Sequence, residues 1–285
     1  MLVKTNPPTQ PPRRPTAFTL LELLMVIAIM GILAALALPT IRGMKPNAKV
    51  VATRQLLDAV GRARQLALSQ RTPVYMVFLS TNFFGGLGGA DLAKVQPLLD
   101  KQLIGYAYVT LRSVGDQPGA QTPHYLSAWK TLPEGAFISP FKFRPSSSPI
   151  VSRPVYLGLT LTNTALGATL NVPTFSTTNS ATVLSPLNGI PFPSEDNPVT
   201  NAQVMLSYLA FDGMGQLVSG LSGQPELIPV AEGSVTFARD PNSKVALPGS
   251  PLVTERPPGN TLDNYSLVYI DRLTGRARVE RRKVQ

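Results

Sequence analysis

The amino-terminal part of the chain contains a long apolar run with a single acid in it. From Phe18 to Leu38 there are 21 residues, and Glu22 is the only charged one among them. As a helix this run would rise about 31 Å, which matches the roughly 30 Å hydrocarbon core of a bilayer. A carboxylate in such a helix costs about 2–4 kcal/mol in lipid, so it needs a partner or a position near the headgroups. The pattern predicts a membrane-spanning helix over 18–38.

The following segment is half apolar. Pro39 ends the apolar run, and its missing amide and its ring predict a bend or local unwinding of the helix there. Beyond it, apolar residues from 50 to 67 recur with a period of 3.6, which predicts an amphipathic helix that ends near Gln70, before Pro73. We expect the apolar stripe to pack on the protein's own sheet. The arginines of this helix would then point mostly to solvent: Arg54, Arg62, Arg64 and Arg71.

After residue 73 the pattern changes to short β-prone runs separated by Gly, Pro and Asn. Because these strands follow the helix instead of alternating with helices, the order predicts an α+β fold with an antiparallel sheet. Pro, Ser, Thr, Asn and Gly are concentrated at 145–200 and 249–260, which we expect to be surface insertions. The predicted strands are 74–79, 103–111, 136–143, 155–161, 204–211, 233–238, 267–270 and 277–279.

The start of the apolar run resembles the prepilin-type leader of type IV pilins and type II secretion pseudopilins. Residues 1–17 are basic and rich in proline, Ala17 stands before the expected cut, and Phe18 follows it. Glu22 is then the fifth residue of the mature chain, as in the family. The resemblance implies that a membrane-embedded peptidase cuts between Ala17 and Phe18 and methylates the new amino group of Phe18. A secreted soluble protein cut near Ala37 is the alternative that a signal peptide would give.

The resemblance also implies a role for each feature of the amino-terminal segment. In an assembled filament the Glu22 carboxylate would neutralise the ammonium group of a neighbouring Phe18, and Pro39 would mark the family's helix bend. The implied partners are a prepilin peptidase and methyltransferase, other pilin or pseudopilin subunits, an inner-membrane assembly platform and membrane lipid. The implied organisation is a leader at 1–17, an assembly helix in the bacterial inner membrane at 18–38, an amphipathic continuation at 39–72, and a β-rich periplasmic or extracellular head at 73–285.

Three further segments resemble the minor pseudopilins called GspH/FimT. They are residues 57–77, where a helix leads into a strand; 211–215, Phe-Asp-Gly-Met-Gly; and 268–279, a closing hairpin. The resemblance implies a subunit of low abundance near the filament tip, with a head that binds a partner. Glu22 argues against the extreme tip subunit, which in the family lacks that acid.

The charge distribution leaves a second function open. The chain has 26 Lys and Arg against 16 Asp and Glu, a net charge of +10. If 277–279 is a strand, Arg276 and Arg278 point to one face and could contact successive phosphates of DNA, with Arg281 and Arg282 nearby. A charged edge strand that discourages strand pairing explains the same residues. A DNA-binding minor pilin of an uptake system therefore stays an alternative, although no recognition helix accompanies the arginines.

Composition argues against an enzyme. The absence of cysteine excludes thiolate chemistry, Cys-ligated zinc and disulfides. His124 is the sole histidine, and no nucleophile or acid motif accompanies it, so we expect it on a surface loop. The glycines of 83–89 lack the Lys-Ser/Thr of a phosphate loop, and the acids are not spaced as a calcium loop. We expect no catalytic residue, no metal and no cofactor; an exported enzyme would have to show turnover that depends on His124.

Overall fold

The computed structural model describes residues 20–43, 47–112, 115–117, 122–143, 191–200, 204, 206–219 and 225–281, with backbone alone at 34–43, 262–263 and 281. The chain divides into two compact units, Met1–Pro46 and Asn47–Gln285. Several predictions lie outside the described residues: the cleavage residues Ala17 and Phe18, the strand at 155–161, Arg282, and most of the insertion at 145–200.

The first unit contains one described helix, α1, from Leu20 to Gly43. The helix does not end at Pro39 but continues for four more residues, so a bend there stays a prediction within a continuous helix. In the part of the chain that the structure describes, no helix meets the combined requirement of length and apolarity for crossing a membrane.

The second unit begins with helix α2, Ala48–Gln70. The side chain of Asn47 caps its first turn by accepting a hydrogen bond from the Val50 amide at 3.3 Å. The helix ends where the sequence pattern placed its end, because Arg71 adopts a left-handed conformation with φ of 52° and Pro73 follows. Helix α2 therefore starts after its cap at Asn47, and the first residues of the predicted continuation, 39–43, are helical as part of α1.

The described residues of the second unit contain ten strands and two further short α-helices. In chain order the elements are β1 Val74–Phe78, α3 Gly89–Val95, β2 Gly105–Thr110, β3 His124–Tyr125, β4 Lys130–Thr131, β5 Ala136–Ile138, β6 Ser207–Phe211, β7 Glu226–Thr236, β8 Leu252–Glu255, α4 Asn260–Asp263, β9 Ser266–Ile270 and β10 Ala277–Arg281. Short 3-10 helices lie at Gln96–Lys101 and Pro140–Phe143.

The strands form two antiparallel sheets of five strands each. The first sheet has the order β3-β2-β1-β6, with β4 also paired to β2. The second sheet has the order β10-β9-β7-β5, with β8 also paired to β7. Helix α2 contacts strands of both sheets, namely β1 and β6 in the first and β5, β7, β9 and β10 in the second. The predicted mixture of helix and antiparallel sheet is confirmed, with two sheets around the helix instead of one.

The first sheet is buried on both faces. Val74, Met76 and Phe78 of β1 belong to the core cluster that also contains the apolar side of α2 and the second sheet. Tyr75 and Val77 point the other way, into a second cluster formed with α3 and the loops that cover this face. All five residues of β1 are therefore buried, which explains why the strand is apolar throughout instead of alternating. The α2 residues of the first cluster are Ala52, Leu56, Ala59, Val60, Ala63 and Ala67.

β3, β4 and β8 were not predicted as strands, and two predicted strands differ most from their predicted extents. β7 begins at Glu226, seven residues before the predicted start, because a proline inside it hid the strand. The carbonyl of Pro229 accepts a hydrogen bond from the Ser139 amide at 3.0 Å, just past the end of β5. Pro229 has no amide to donate back to Ser139, and β5 ends at Ile138, one residue before that position. The run predicted as one strand at 136–143 is correspondingly split into Ala136–Ile138 and the 3-10 turn that begins at Pro140.

Candidate functional site

The amino-terminal helix presents apolar side chains in every direction. All residues of α1 from Leu20 to Leu33 are exposed, and Glu22 is the acid of its first turn. A helix that is apolar all round needs apolar surroundings, and an acid is favourable near the positive end of the helix dipole. The large apolar side chains, between 48 and 80% exposed, are Leu20, Leu21, Leu23, Leu24, Met25, Val26, Ile27, Ile29, Met30, Ile32 and Leu33.

In the second unit, three segments that are far apart in the sequence meet at the carboxyl end of α2. Arg64 Nε donates a hydrogen bond to the Thr274 carbonyl at 2.7 Å. The turn at 212–216 lies against the same end of the helix, since a side chain added at Gly213 would come within 2.9 Å of the Arg71 backbone. The three segments are residues 57–77, 211–215 and 268–279, and the fold brings them into contact.

The two turns also touch each other through glycines. Gly275 has φ of 62°, and a Cβ added there would overlap the carbonyl oxygen of Gly215. Gly215 has φ of 77°, and a Cβ there would lie 3.1 Å from the side chain of Leu68. The positive φ and the close approach both require glycine.

Each turn is braced by an aspartate at its start. Asp212 Oδ1 accepts from the amides of Met214 at 3.0 Å and Gln216 at 2.8 Å. Asp271 Oδ1 accepts from the amide and the hydroxyl of Thr274, both at 2.7 Å. The bonds from Thr274 hold the pKa of Asp271 below its ordinary value. Both turns follow one scheme: an aspartate, an apolar residue two positions later, and a glycine in the left-handed region.

The predicted basic patch lies on β10 and the turn before it. Arg276 and Arg278 are exposed, whereas Ala277 and Val279 between and after them are half-buried, so the two arginines lie on the outer side. The Arg278 guanidinium stacks 4.0 Å from the centre of the Tyr269 ring, and its Nη2 lies 2.9 Å from Glu280 Oε1. Part of its charge is therefore offset within the chain. Contact with DNA stays a prediction, and the side chain of Arg281 lies outside the described part.

The second unit contains a buried ion pair that no pattern in the sequence indicated. Lys142 and Glu226 are in direct contact, with their side chains 0% and 3% exposed. Burial lowers the pKa of Lys142 and raises the pKa of Glu226, while their mutual attraction opposes both shifts. Both residues stand in largely apolar runs, Phe-Lys-Phe and Glu-Leu-Ile, which on pattern alone are typical of alternating half-exposed positions. The pair is a structural contact that joins the 3-10 turn after β5 to the first residue of β7.

His124 does not lie on a loop, contrary to expectation. It is half-buried in the edge strand β3, where it pairs with Thr110 of β2. Over the described ranges, no group of three or more His, Cys, Asp or Glu side chains could hold a metal ion.

A family described as the prokaryotic N-terminal methylation motif matches residues 12–38. The matched segment contains Ala17, Phe18 and Glu22, and it is the type IV pilin-like prepilin signal. The match supports a type IV pilin-like precursor, and the family of this motif is structural and not enzymatic. No curated protein and no solved structure matches the chain.

Proposed function

We propose that the chain is a minor pilin or pseudopilin subunit that assembles through its amino-terminal helix into a type II secretion pseudopilus or a type IV pilus-like filament. The observation that carries this proposal is the methylation motif at 12–38 on a helix whose residues from Leu20 to Leu33 are all exposed. A single copy leaves that apolar surface without cover. Lipid before assembly and other subunits' helices after it would cover the same surface in turn.

The chemistry of assembly would begin at the leader. Cleavage between Ala17 and Phe18 creates a new amino group, and methylation keeps it cationic at neutral pH. In the filament core this ammonium group would meet the Glu22 carboxylate of a neighbouring subunit. An unpaired charge in such a low-dielectric core costs about 3–5 kcal/mol, so one axial position of each subunit relative to its neighbour would be favoured. Glu22 would thereby select the arrangement of subunits.

Among pilin-like subunits we favour a GspH/FimT-like minor pseudopilin. The supporting observation is the contact between the three segments that resemble that family, at Arg64, at Gly213–Gly215 and at Thr274–Gly275. The contact constrains the residue types in these segments, because Gly215 and Gly275 leave no room for a side chain. In this proposal the helix is anchored in the inner membrane and the head lies in the periplasm or outside the cell.

The intact mass and amino-terminal sequence of the protein recovered from membranes of its own host would test this proposal. A chain that starts at N-methylated Phe18 is the expected result. A start near Leu38 would instead identify a secreted soluble protein, and an uncut Met1 would identify a plain membrane anchor. Ala17→Gly supplies the family's usual residue and should be cut at least as completely, whereas Ala17→Arg should stay uncut; equal processing of these two variants would contradict the assigned cleavage position.

A further inference from the structure

The two braced turns at the end of α2 carry apolar side chains at their tips. Met214 and Leu273 are each 75% exposed. Leu68 of α2, 37% exposed, lies beside them, since Gly215 packs against its side chain and Gly275 packs against Gly215. We call Leu68, Met214 and Leu273 the tip patch. Single exposed apolar residues are ordinary on a protein surface, but three from three distant segments that the fold brings together are typical of a contact surface.

The tip patch is not explained by the packing of the head. Side chains that are three-quarters exposed contribute little to the core, so a polar residue at 214 or 273 would fit these turns equally well. The turns themselves are fixed, because Asp212 and Asp271 each accept two hydrogen bonds within their own turn. A partner that binds here would meet a preformed surface and would not have to order it.

Basic residues outnumber acidic ones around the tip patch: Arg64, Arg71 and Arg276 against Asp212 and Asp271. Arg64 of α2 donates to the second turn, the backbone of Arg71 at the end of α2 packs against Gly213 of the first turn, and Arg276 follows the second turn directly. None of the three has a carboxylate within 4.0 Å among the described residues. Asp212 and Asp271 lie in the turns themselves and stay negatively charged, but each uses one carboxylate oxygen for hydrogen bonds within its own turn. A surface that is apolar at its centre and positive at its rim is complementary to an apolar segment flanked by acids.

We infer that the tip patch is a docking site for a different protein, one that presents an apolar segment flanked by Asp or Glu. A second copy of this chain fits less well, because each copy carries a net charge of +10, or +7 once Lys4, Arg13 and Arg14 of the leader are removed, and would bring like charge to a positive rim. The inference concerns the second unit alone, so it stands or fails independently of leader cleavage and of filament assembly through α1.

Photocrosslinking of the full chain in its own host tests the site. A photoreactive benzophenone amino acid replaces Met214 or Leu273 in turn, and Leu252 of β8, 68% exposed, serves as the matched control outside the patch. After irradiation, mass spectrometry identifies the adduct and the peptide that carries the crosslink. The expected result is one heterologous adduct from positions 214 and 273, through an apolar peptide flanked by acids, and none from position 252.

A charge reversal separates this proposal from simple hydrophobic adhesion. Arg276→Glu should reduce the adduct from position 273 at least about fivefold, because it places an acid opposite acids. Arg54→Glu, the same change at an exposed position in the amino-terminal half of α2, should leave the yield within about twofold. Any of five outcomes would overturn the inference. They are an adduct with another copy of this chain, an equal adduct from position 252, a basic partner peptide, an unchanged yield in the Arg276 variant, and no adduct at all.

Discussion

Arg64 and Thr274 are joined by a hydrogen bond of 2.7 Å between Nε and the carbonyl oxygen, although 210 residues separate them in the chain. The bond fixes the turn between β9 and β10 to the second half of α2. It is possible because Gly215 and Gly275 let two backbones approach each other beside the arginine. The last hairpin of the chain is in this way part of the packing around α2.

Loss of the arginine should loosen this attachment. Arg64→Ala is expected to lower the free energy of unfolding of the second unit by about 1 kcal/mol, the usual net value of one hydrogen bond with a charged donor near the surface. Urea unfolding of the detergent-solubilised chain, followed by the fluorescence of Trp129, its sole tryptophan, measures the change. Arg62→Ala, at an exposed position of the same helix, should change it by less than about 0.5 kcal/mol. Equal effects of the two changes would contradict a specific role for Arg64.

A side chain at position 275 should separate the two turns. Gly275→Ala places a methyl group on the Gly215 carbonyl and strains a residue with φ of 62°, so we expect a loss of about 2–4 kcal/mol in the same unfolding experiment. Gly249→Ala is the control, because its added Cβ meets nothing within 4 Å. A Gly275 variant as stable as the control would show that the close approach of the turns is not required.

The buried ion pair should cost more to break than to replace. Lys142→Met leaves the Glu226 carboxylate buried without this partner, and we expect a loss of about 3–5 kcal/mol. The double variant Lys142→Met, Glu226→Leu removes both charges and should recover most of that loss. Urea unfolding of wild type, both single variants and the double variant gives the coupling energy. Additive effects of the two single changes would show that the residues do not act as a pair.

Glu22 should matter for assembly and not for insertion into the membrane. Glu22→Val is expected to leave membrane association and leader cleavage intact but to reduce the subunit in sheared filaments at least about tenfold, because the Phe18 ammonium loses its partner. Leu24→Val is a matched change on the same exposed helix, and it should leave incorporation nearly unchanged. An immunoblot measures the fraction of subunit in purified filaments and tests the prediction. Normal incorporation of the Glu22 variant would contradict the proposed pairing of Glu22 with the Phe18 ammonium group.

The sequence predicted the elements that depend on local pattern. The end of α2 at Gln70 followed from Pro73, and the strands β1, β2, β9 and β10 followed from short β-prone runs between turn residues. Prediction from the sequence failed where contacts between residues distant in the chain determine the local structure. The strand predicted to start at residue 233 begins at Glu226 and includes Pro229, because β5 ends at Ile138, before the residue opposite the proline. His124 became a strand residue through its pairing with Thr110.

The features of the candidate site also differ in whether the sequence alone could predict them. The prepilin signal is a linear motif, so residue types and spacing were enough to find it, and the family match at 12–38 confirms it. The tip patch could not be found in this way, because nothing in the sequence states that Leu68, Met214 and Leu273 are neighbours. The pair of Lys142 and Glu226 was hidden for the same reason, since 84 residues separate its members.

The two-sided burial of the first sheet has a consequence for how this head can vary during evolution. Alternate residues of β1 serve different clusters: Met76 faces α2, and Val77 faces the loops. A change in the covering loops can therefore be accommodated by substitutions at the odd-numbered positions of β1 alone. The even-numbered positions, and the fit of α2 to both sheets, can stay as they are. The second unit can therefore acquire or lose long surface loops while the support beneath them persists.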